Sequence, residues 1–182
     1  MAFAGNVDEL ALLQAVRLKE QVGATVLAEH LGVSASSGQA AYDALVTQGK
    51  AEEVADGKIG LTAAGLKELE DQLDAERVSI DEDSIAEVYE QFEPLHEQFL
   101  EVIEEADVDG LKALDGKAAD VFDDLSAFVP RLSRYQDLFA DALAKVDAGD
   151  TKWIAEPVID SYATVWTELR LELMGAAGRT ES

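Results

Sequence analysis

Apolar residues recur at helical spacing near the start of the chain, which predicts an amphipathic helix. This first helix is expected to run from about Asp8 to Val22, with Leu10, Leu13 and Val16 along one face. Gly23 is expected to end it, because glycine is a common residue just beyond the last turn of a helix.

Two shorter helices joined by a tight turn are predicted next. Thr25 is expected to cap the second helix, and Gly32 to end it in the left-handed conformation that glycine tolerates. Ser34 is then expected to cap a third helix that closes at Gly49. Two helices connected in this way form a helix-turn-helix.

A β-hairpin is predicted after the third helix. Asp56-Gly57 lies between Val54 and Ile59, and Asp-Gly between apolar runs favours a type I′ turn, which needs positive φ at both central residues. Thr62 is expected to cap a fourth helix. The apolar face of that helix consists of Leu66, Leu69 and Leu73.

The second half is predicted to be helical throughout. Ser84 and Glu87 have the spacing of a capping box, which predicts the start of a long helix. Pro94 falls inside the apolar pattern of this helix and predicts a kink or break near Gln91.

Three further helices complete the second half of the prediction. One precedes Pro130, the next begins there, and the last runs from about Glu156 to Met174. The polar segment at residues 75–83 (AERVSIDED) is dense in charge and indicates the boundary between two domains. The expected domains are residues 1–78 and residues 79–182.

The N-terminal domain resembles the winged helix-turn-helix regulators of the MarR and PadR type over roughly residues 8–78. The resemblance is carried by two stretches, TVLAEHLGVSASSGQAAYDALVTQGKAEEV and KIGLTAAGLKELE. It implies a winged helix-turn-helix with one small β-hairpin. Together with the helices predicted from the apolar pattern of the second half, the expected fold is mainly α, with this domain followed by an all-helical C-terminal bundle. The helical half is not assigned to a characterised family.

The resemblance implies a transcriptional regulator whose third helix lies in the major groove of DNA. The residues expected to contact DNA are Ser36, Ser37, Gln39, Lys50 and Lys58. The third helix itself contains no Arg or Lys and carries Asp43. An alternative is therefore a winged helix that binds protein, as an adaptor without direct DNA binding.

The composition narrows the possible functions. With 14 basic and 38 acidic residues the net charge is −24, which argues against coating nucleic acid and against binding anionic membranes. The absence of cysteine excludes disulfides and thiol catalysis, and two histidines are too few for a histidine-built metal cage. We find no catalytic sequence motif, so neither an enzyme nor a cofactor is expected.

No apolar run approaches the length of a membrane helix, and the N-terminus lacks the pattern of a signal peptide. We therefore expect a cytoplasmic protein. Glu93 and His96 match half of a carboxylate di-iron motif, but such sites need two copies and two further glutamates, so a structural pair is expected.

The helical domain is expected to form a homodimer or to sense a small-molecule effector. The candidates for an effector pocket are aromatic residues with one nearby cation: Tyr135, Tyr162, Trp166 and Arg134. The alternative for the same residues is a bundle core with a dimer face. The expected partners are thus DNA, a second copy of the chain, and a protein or a small effector.

Overall fold

The computed structural model of the protein describes residues 2–157 and 159–179 and divides the chain into two compact units. The first ends at Ser79 and the second begins at Ile80. The fold is mainly helical, with one two-stranded antiparallel sheet. Within the described residues, no helix is long and apolar enough to cross a bilayer.

Three helices open the first unit, as predicted: α1 (Glu9–Lys19), α2 (Ala24–Leu31) and α3 (Ala35–Thr47). Asp8 caps α1 by accepting a hydrogen bond from the amide of Ala11. The predicted end of α1 at Gly23 is wrong, because Glu20 adopts a φ of 61° and interrupts the helix. Val22 then pairs with Ile59 in an antiparallel bridge.

The turn between α2 and α3 follows the sequence prediction. Gly32 is left-handed with a φ of 69°, and Ser34 caps α3 by accepting from the amide of Ser37 at 3.1 Å. The predicted cap of α2 is wrong, since Gly23 rather than Thr25 occupies that position. A Cβ on Gly23 would lie 3.3 Å from the carbonyl oxygen of Gly57, so the close approach of the hairpin favours glycine there.

The hairpin consists of β1 (Ala51–Ala55) and β2 (Lys58–Leu61), and it turns at Asp56-Gly57 as predicted. The predicted type I′ geometry is wrong, because of the two central residues only Gly57, with a φ of 68°, has a positive φ. The pairing of β1 with β2 is irregular near this turn, with a register shift between Glu53 and Ala55. Thr62 caps α4 (Ala63–Val78), as expected.

The second unit contains five helices among its described residues: α5 (Glu82–Glu105), α6 (Val108–Phe128), α7 (Ser133–Asp147), α8 (Lys152–Ala155) and α9 (Tyr162–Ala176). Asp81 rather than Ser84 caps α5, and it accepts from both the amide and the hydroxyl of Ser84. The expected capping box is therefore wrong. Asp81 directly precedes Glu82, so α5 begins earlier than predicted, and the charged carboxylate bonds the Ser84 amide strongly.

The break expected near Gln91 is also wrong, since α5 continues through Pro94, and the kink given as the other possibility stays a prediction. Pro94 lies on the exposed side of the helix, where water can bond the carbonyl that loses its amide partner. Phe92, Leu95 and Phe99 on the opposite side are buried and hold the helix on both sides of the proline.

The last predicted helix is divided. Glu156 is extended with a ψ of 124°, as expected of a residue before proline, and Pro157 lies in a turn. α9 begins only after Ser161, whose hydroxyl caps it. The predicted helical residue Val158 lies outside the described part of the chain. Pro130 begins a short 3-10 turn that ends at Leu132, and α7 follows it.

Each unit has its own hydrophobic core. In the first unit, α1, α2, α3, α4 and the hairpin contribute residues such as Leu13, Leu27, Leu45, Ile59 and Leu69. The second is built around stacked aromatic rings from four helices: Phe92, Phe99, Phe122, Phe139, Tyr162 and Trp166.

Candidate functional site

Most side chains on the outward face of α3 are small, and Asp43 is the charged residue among them. The exposed residues of α3 follow helical spacing: Ala35, Ser36, Gln39, Ala40, Asp43, Val46 and Thr47. The inward face consists of Gly38, Ala41 and Leu45, which are buried. The sequence therefore places two of the DNA-contact candidates, Ser36 and Gln39, on an exposed surface.

Three serines surround the N-terminus of α3. The Ser34 hydroxyl accepts from the Ser37 amide, lies 3.1 Å from the Ser36 hydroxyl and donates to the Ser37 hydroxyl at 3.0 Å. Ser36 is exposed and Ser37 is half-buried. The candidates Ser36 and Ser37 therefore belong to the first turn of α3, where backbone amides without helical acceptors also lie.

Gln39 is already hydrogen-bonded within α3. Its side-chain amide donates to Asp43 Oδ1 at 2.9 Å, one helical turn away. A bidentate contact to adenine requires both the amide nitrogen and the amide oxygen. Gln39 must therefore leave Asp43 before it can make such a contact.

The candidate cations differ in their surroundings. Lys50 lies 2.5 Å from Glu9 Oε1, and the two side chains are only 22% and 24% exposed. Its ammonium also lies 5.8 Å from the centroid of the Phe3 ring. Lys58 is exposed at the start of β2. The structure thus separates the two lysines: Lys50 stabilises the first unit internally, and Lys58 faces solvent.

Two carboxylates lie close enough to Tyr42 of α3 to affect its pKa. Burial raises the pKa of Tyr42, and the charges of Glu53 and Asp43 raise it further. Lys67 on α4 is paired with Asp71 at 2.7 Å, which raises its pKa.

The second unit holds a charged pair in its interior. Arg131 donates from both terminal nitrogens to Glu172, at 3.0 Å and 2.6 Å. The side chains are 11% and 2% exposed, so both charges are largely removed from water. The Tyr135 hydroxyl also donates to Glu172, at 3.4 Å, and burial raises the pKa of Tyr135.

The side chains of the four effector-pocket candidates already contact other side chains of the protein. Tyr162 and Trp166 are fully buried with ring centroids 6.3 Å apart, and Tyr162 donates to Asp115 Oδ1 at 2.7 Å. Burial and the Asp115 carboxylate raise the pKa of Tyr162. Tyr135 is held by Glu172, and Arg134 lies 3.6 Å from Asp137. An effector would have to displace these contacts.

Sequence reasoning missed the pairing of Trp166 with His96. The indole nitrogen of Trp166 on α9 donates to Nδ1 of His96 on α5 at 3.1 Å. Glu93, the other half of the expected structural pair, lies 3.7 Å from Arg170. The two residues of the Glu-x-x-His pattern thus contact α9.

One signal could have revealed the buried charge of Glu172. Val165, Leu169 and Leu173 form the apolar stripe of α9, and Glu172 lies seven residues after Val165, in phase with that stripe. An acid on an apolar stripe needs a buried cation. The sequence does not identify Arg131 as that cation, because it is 41 residues away.

No family model matches the chain, and it matches neither a curated protein nor a solved structure.

Proposed function

We propose that the first unit is a winged helix-turn-helix and that the protein is a transcriptional regulator that contacts DNA through α3. The observation that carries this proposal is the exposed face of α3. Its side chains are small, so bases and phosphates can approach the helix closely. The order of α1, α2, α3, hairpin and α4 agrees with this assignment, as does the bridge from Val22 to β2.

The first turn of α3 supplies the main contacts in this proposal. Hydroxyl groups of Ser36 and Ser37 bond phosphates or base edges, and backbone amides at the helix N-terminus bond a phosphate. Gln39 turns from Asp43 to a base. Such contacts do not require the basic side chains that α3 lacks.

Binding of this kind is expected to be weak and only slightly dependent on salt. Of the lysines near the proposed surface, Lys50 and Lys67 are paired with acids, whereas Lys58 is exposed. One phosphate contact gives a slope of about −0.9 in a plot of log affinity against log salt, and two copies give about −1.8.

A second candidate function is an adaptor that binds protein through the same face. The pairing of Gln39 with Asp43 and of Lys50 with Glu9 favours it, because both pairs occupy groups that DNA would need. An uncharged surface of Ala35, Ser36 and Ala40 is also suited to contact with another helix.

We further propose that the protein acts as a homodimer through its helical half, since a dimer matches two half-sites one DNA turn apart. The apolar residues of α9 do not support this interface, because Val165, Trp166 and Leu169 lie in the core of their own unit. Light scattering at tens of micromolar protein measures the state, and a monomer contradicts the dimer.

Selection from a library of random DNA duplexes tests the proposed function. Duplexes of about 30 base pairs hold two half-sites one turn apart. We expect enrichment of a common sequence, and fluorescence anisotropy then gives its affinity at several salt concentrations. Absence of enrichment at low salt contradicts DNA recognition and leaves the adaptor.

Two variants identify the contacts made to an enriched duplex. Gln39→Ala is expected to relax sequence preference, while Lys58→Ala is expected to weaken all sequences and to reduce the salt slope by about 1 per protomer. Lys117→Ala, at an exposed lysine of α6, is the control and is expected to change neither.

A further inference from the structure

We propose that His96 is a proton-sensitive contact that holds α9 against α5 at neutral pH and weakens that contact when it is protonated. The inference is independent of the proposed function, since it concerns only the second unit. It starts from the hydrogen bond between Trp166 Nε1 and His96 Nδ1, which measures 3.1 Å.

The donor in this bond is unambiguous. An indole N–H can donate but cannot accept, so Nδ1 of His96 must carry a lone pair and the imidazole must be neutral. Protonation places a hydrogen on Nδ1 as well as on Nε2. The bond to Trp166 is then lost, and two N–H groups face each other across the same distance.

His96 lies within the aromatic cluster that joins α5 to α9, so the loss of its hydrogen bond to Trp166 affects that cluster. Its ring lies between two aromatic residues of α5, with centroids 6.2 Å from Phe92 and 6.0 Å from Phe99. The same two residues stack on Trp166, at 5.1 Å and 4.7 Å. A change at His96 therefore acts directly on the aromatic cluster that joins α5 to α9.

The charged groups around His96 come from both helices. Burial lowers the pKa of His96, and Arg170 on α9 lowers it further, whereas Glu93 and Glu97 on α5 act in the opposite direction. Glu93 lies 3.7 Å from Arg170, so part of its charge is balanced by that guanidinium. The neutral imidazole is the form that this environment favours.

The direction of the pH effect follows from linkage. A histidine whose pKa is lower in the folded state than its ordinary value of 6.5 takes up its proton more readily in the unfolded chain. Its contribution to stability is present above that value and is lost as the pH falls below it. The contact itself is lost when the folded protein takes up the proton, which happens at the lowered pKa of His96 and so at a pH below 6.5.

Urea unfolding of two proteins tests the proposal: the wild type and His96→Gln. Glutamine at position 96 keeps an acceptor for the indole but does not titrate. Between about pH 7.5 and about pH 5, we expect the wild-type midpoint to fall relative to that of His96→Gln. Equal shifts in the wild type and His96→Gln overturn the proposal.

A nuclear magnetic resonance titration of the wild type keeps the test valid if His96→Gln does not fold. We expect the His96 ring to titrate below its ordinary value, and the Trp166 indole N–H resonance to move at the same midpoint. A Trp153→Phe variant assigns that resonance. Titration of His96 at or above 6.5, or an indole resonance that does not follow it, overturns the proposal.

Discussion

Glu172 is a buried acid, and its partner Arg131 lies 41 residues away in the sequence. Its two bonds to Arg131 join the 3-10 turn that precedes α7 to the last turns of α9. A buried pair need not stabilise a protein more than apolar residues of the same size do, but removing one partner leaves an uncompensated charge. A single variant measures the cost of leaving one charge buried without its partner, and a double variant measures the contribution of the pair as a whole.

We expect Glu172→Leu to lower the free energy of unfolding by about 3–5 kcal/mol, because it leaves Arg131 charged and buried. The double variant Arg131→Met with Glu172→Leu is expected to recover much of that loss. Urea unfolding of both variants and of the wild type measures the difference. A double variant less stable than Glu172→Leu alone contradicts this explanation.

Residues with a local role were predictable from the sequence, and residues with a distant partner were not. Gly32, Ser34 and Thr62 have the expected roles because each acts on its own helix end. Asp81 rather than Ser84 is the cap because α5 begins at Glu82, and the Asp81 carboxylate bonds the Ser84 amide. The partners of Trp166 and Glu172 required the tertiary structure.

Close packing between helices α2 and α3 explains a residue that helix propensity disfavours. A Cβ on Gly38 of α3 would lie 2.5 Å from the Cβ of Ala28 and 3.1 Å from the carbonyl oxygen of Ala24. Glycine within a helix costs about 1 kcal/mol relative to alanine. The approach of α2 therefore outweighs that cost.

A matched pair of glycine variants tests this explanation. Gly38→Ala is expected to destabilise the first unit, because Ala28 and the α2 backbone must move to admit the methyl group. Gly116→Ala in α6 is expected to stabilise by up to about 1 kcal/mol, since a Cβ there meets no atom within 4 Å. Thermal unfolding compares them, and a stabilising Gly38→Ala contradicts the role assigned to that glycine.

At the scale of elements, the sequence predicted the type and order of most helices and the position of the hairpin. The predicted limits of two helices were wrong. α1 ends early because Val22 pairs with Ile59, and the last helix divides because Glu156 precedes a proline. Pro94 did not break α5, because the buried residues around it hold the helix in place.

The charge of the whole molecule is expected to govern its response to salt. With 38 acids and 14 bases, at least 24 carboxylates have no basic partner of their own. Salt screens the resulting repulsion, because the Debye length falls from about 10 Å at 0.1 M to about 3 Å at 1 M. We therefore expect the melting temperature to rise with sodium chloride.

Calorimetry across that salt range measures the effect. Exposed ion pairs such as Lys67 with Asp71 act in the opposite direction, because screening weakens attraction as well as repulsion. A melting temperature that stays constant or falls contradicts the dominance of repulsion.

The most direct test of DNA contact through α3 compares two serine-to-glutamate variants by fluorescence anisotropy on an enriched duplex. Ser36 and Ser133 are both exposed in the first turn of a helix, where a negative charge is favourable for folding. We expect Ser36→Glu to abolish binding through repulsion from phosphates and Ser133→Glu to retain it. Equal binding by the two variants would contradict DNA contact through α3.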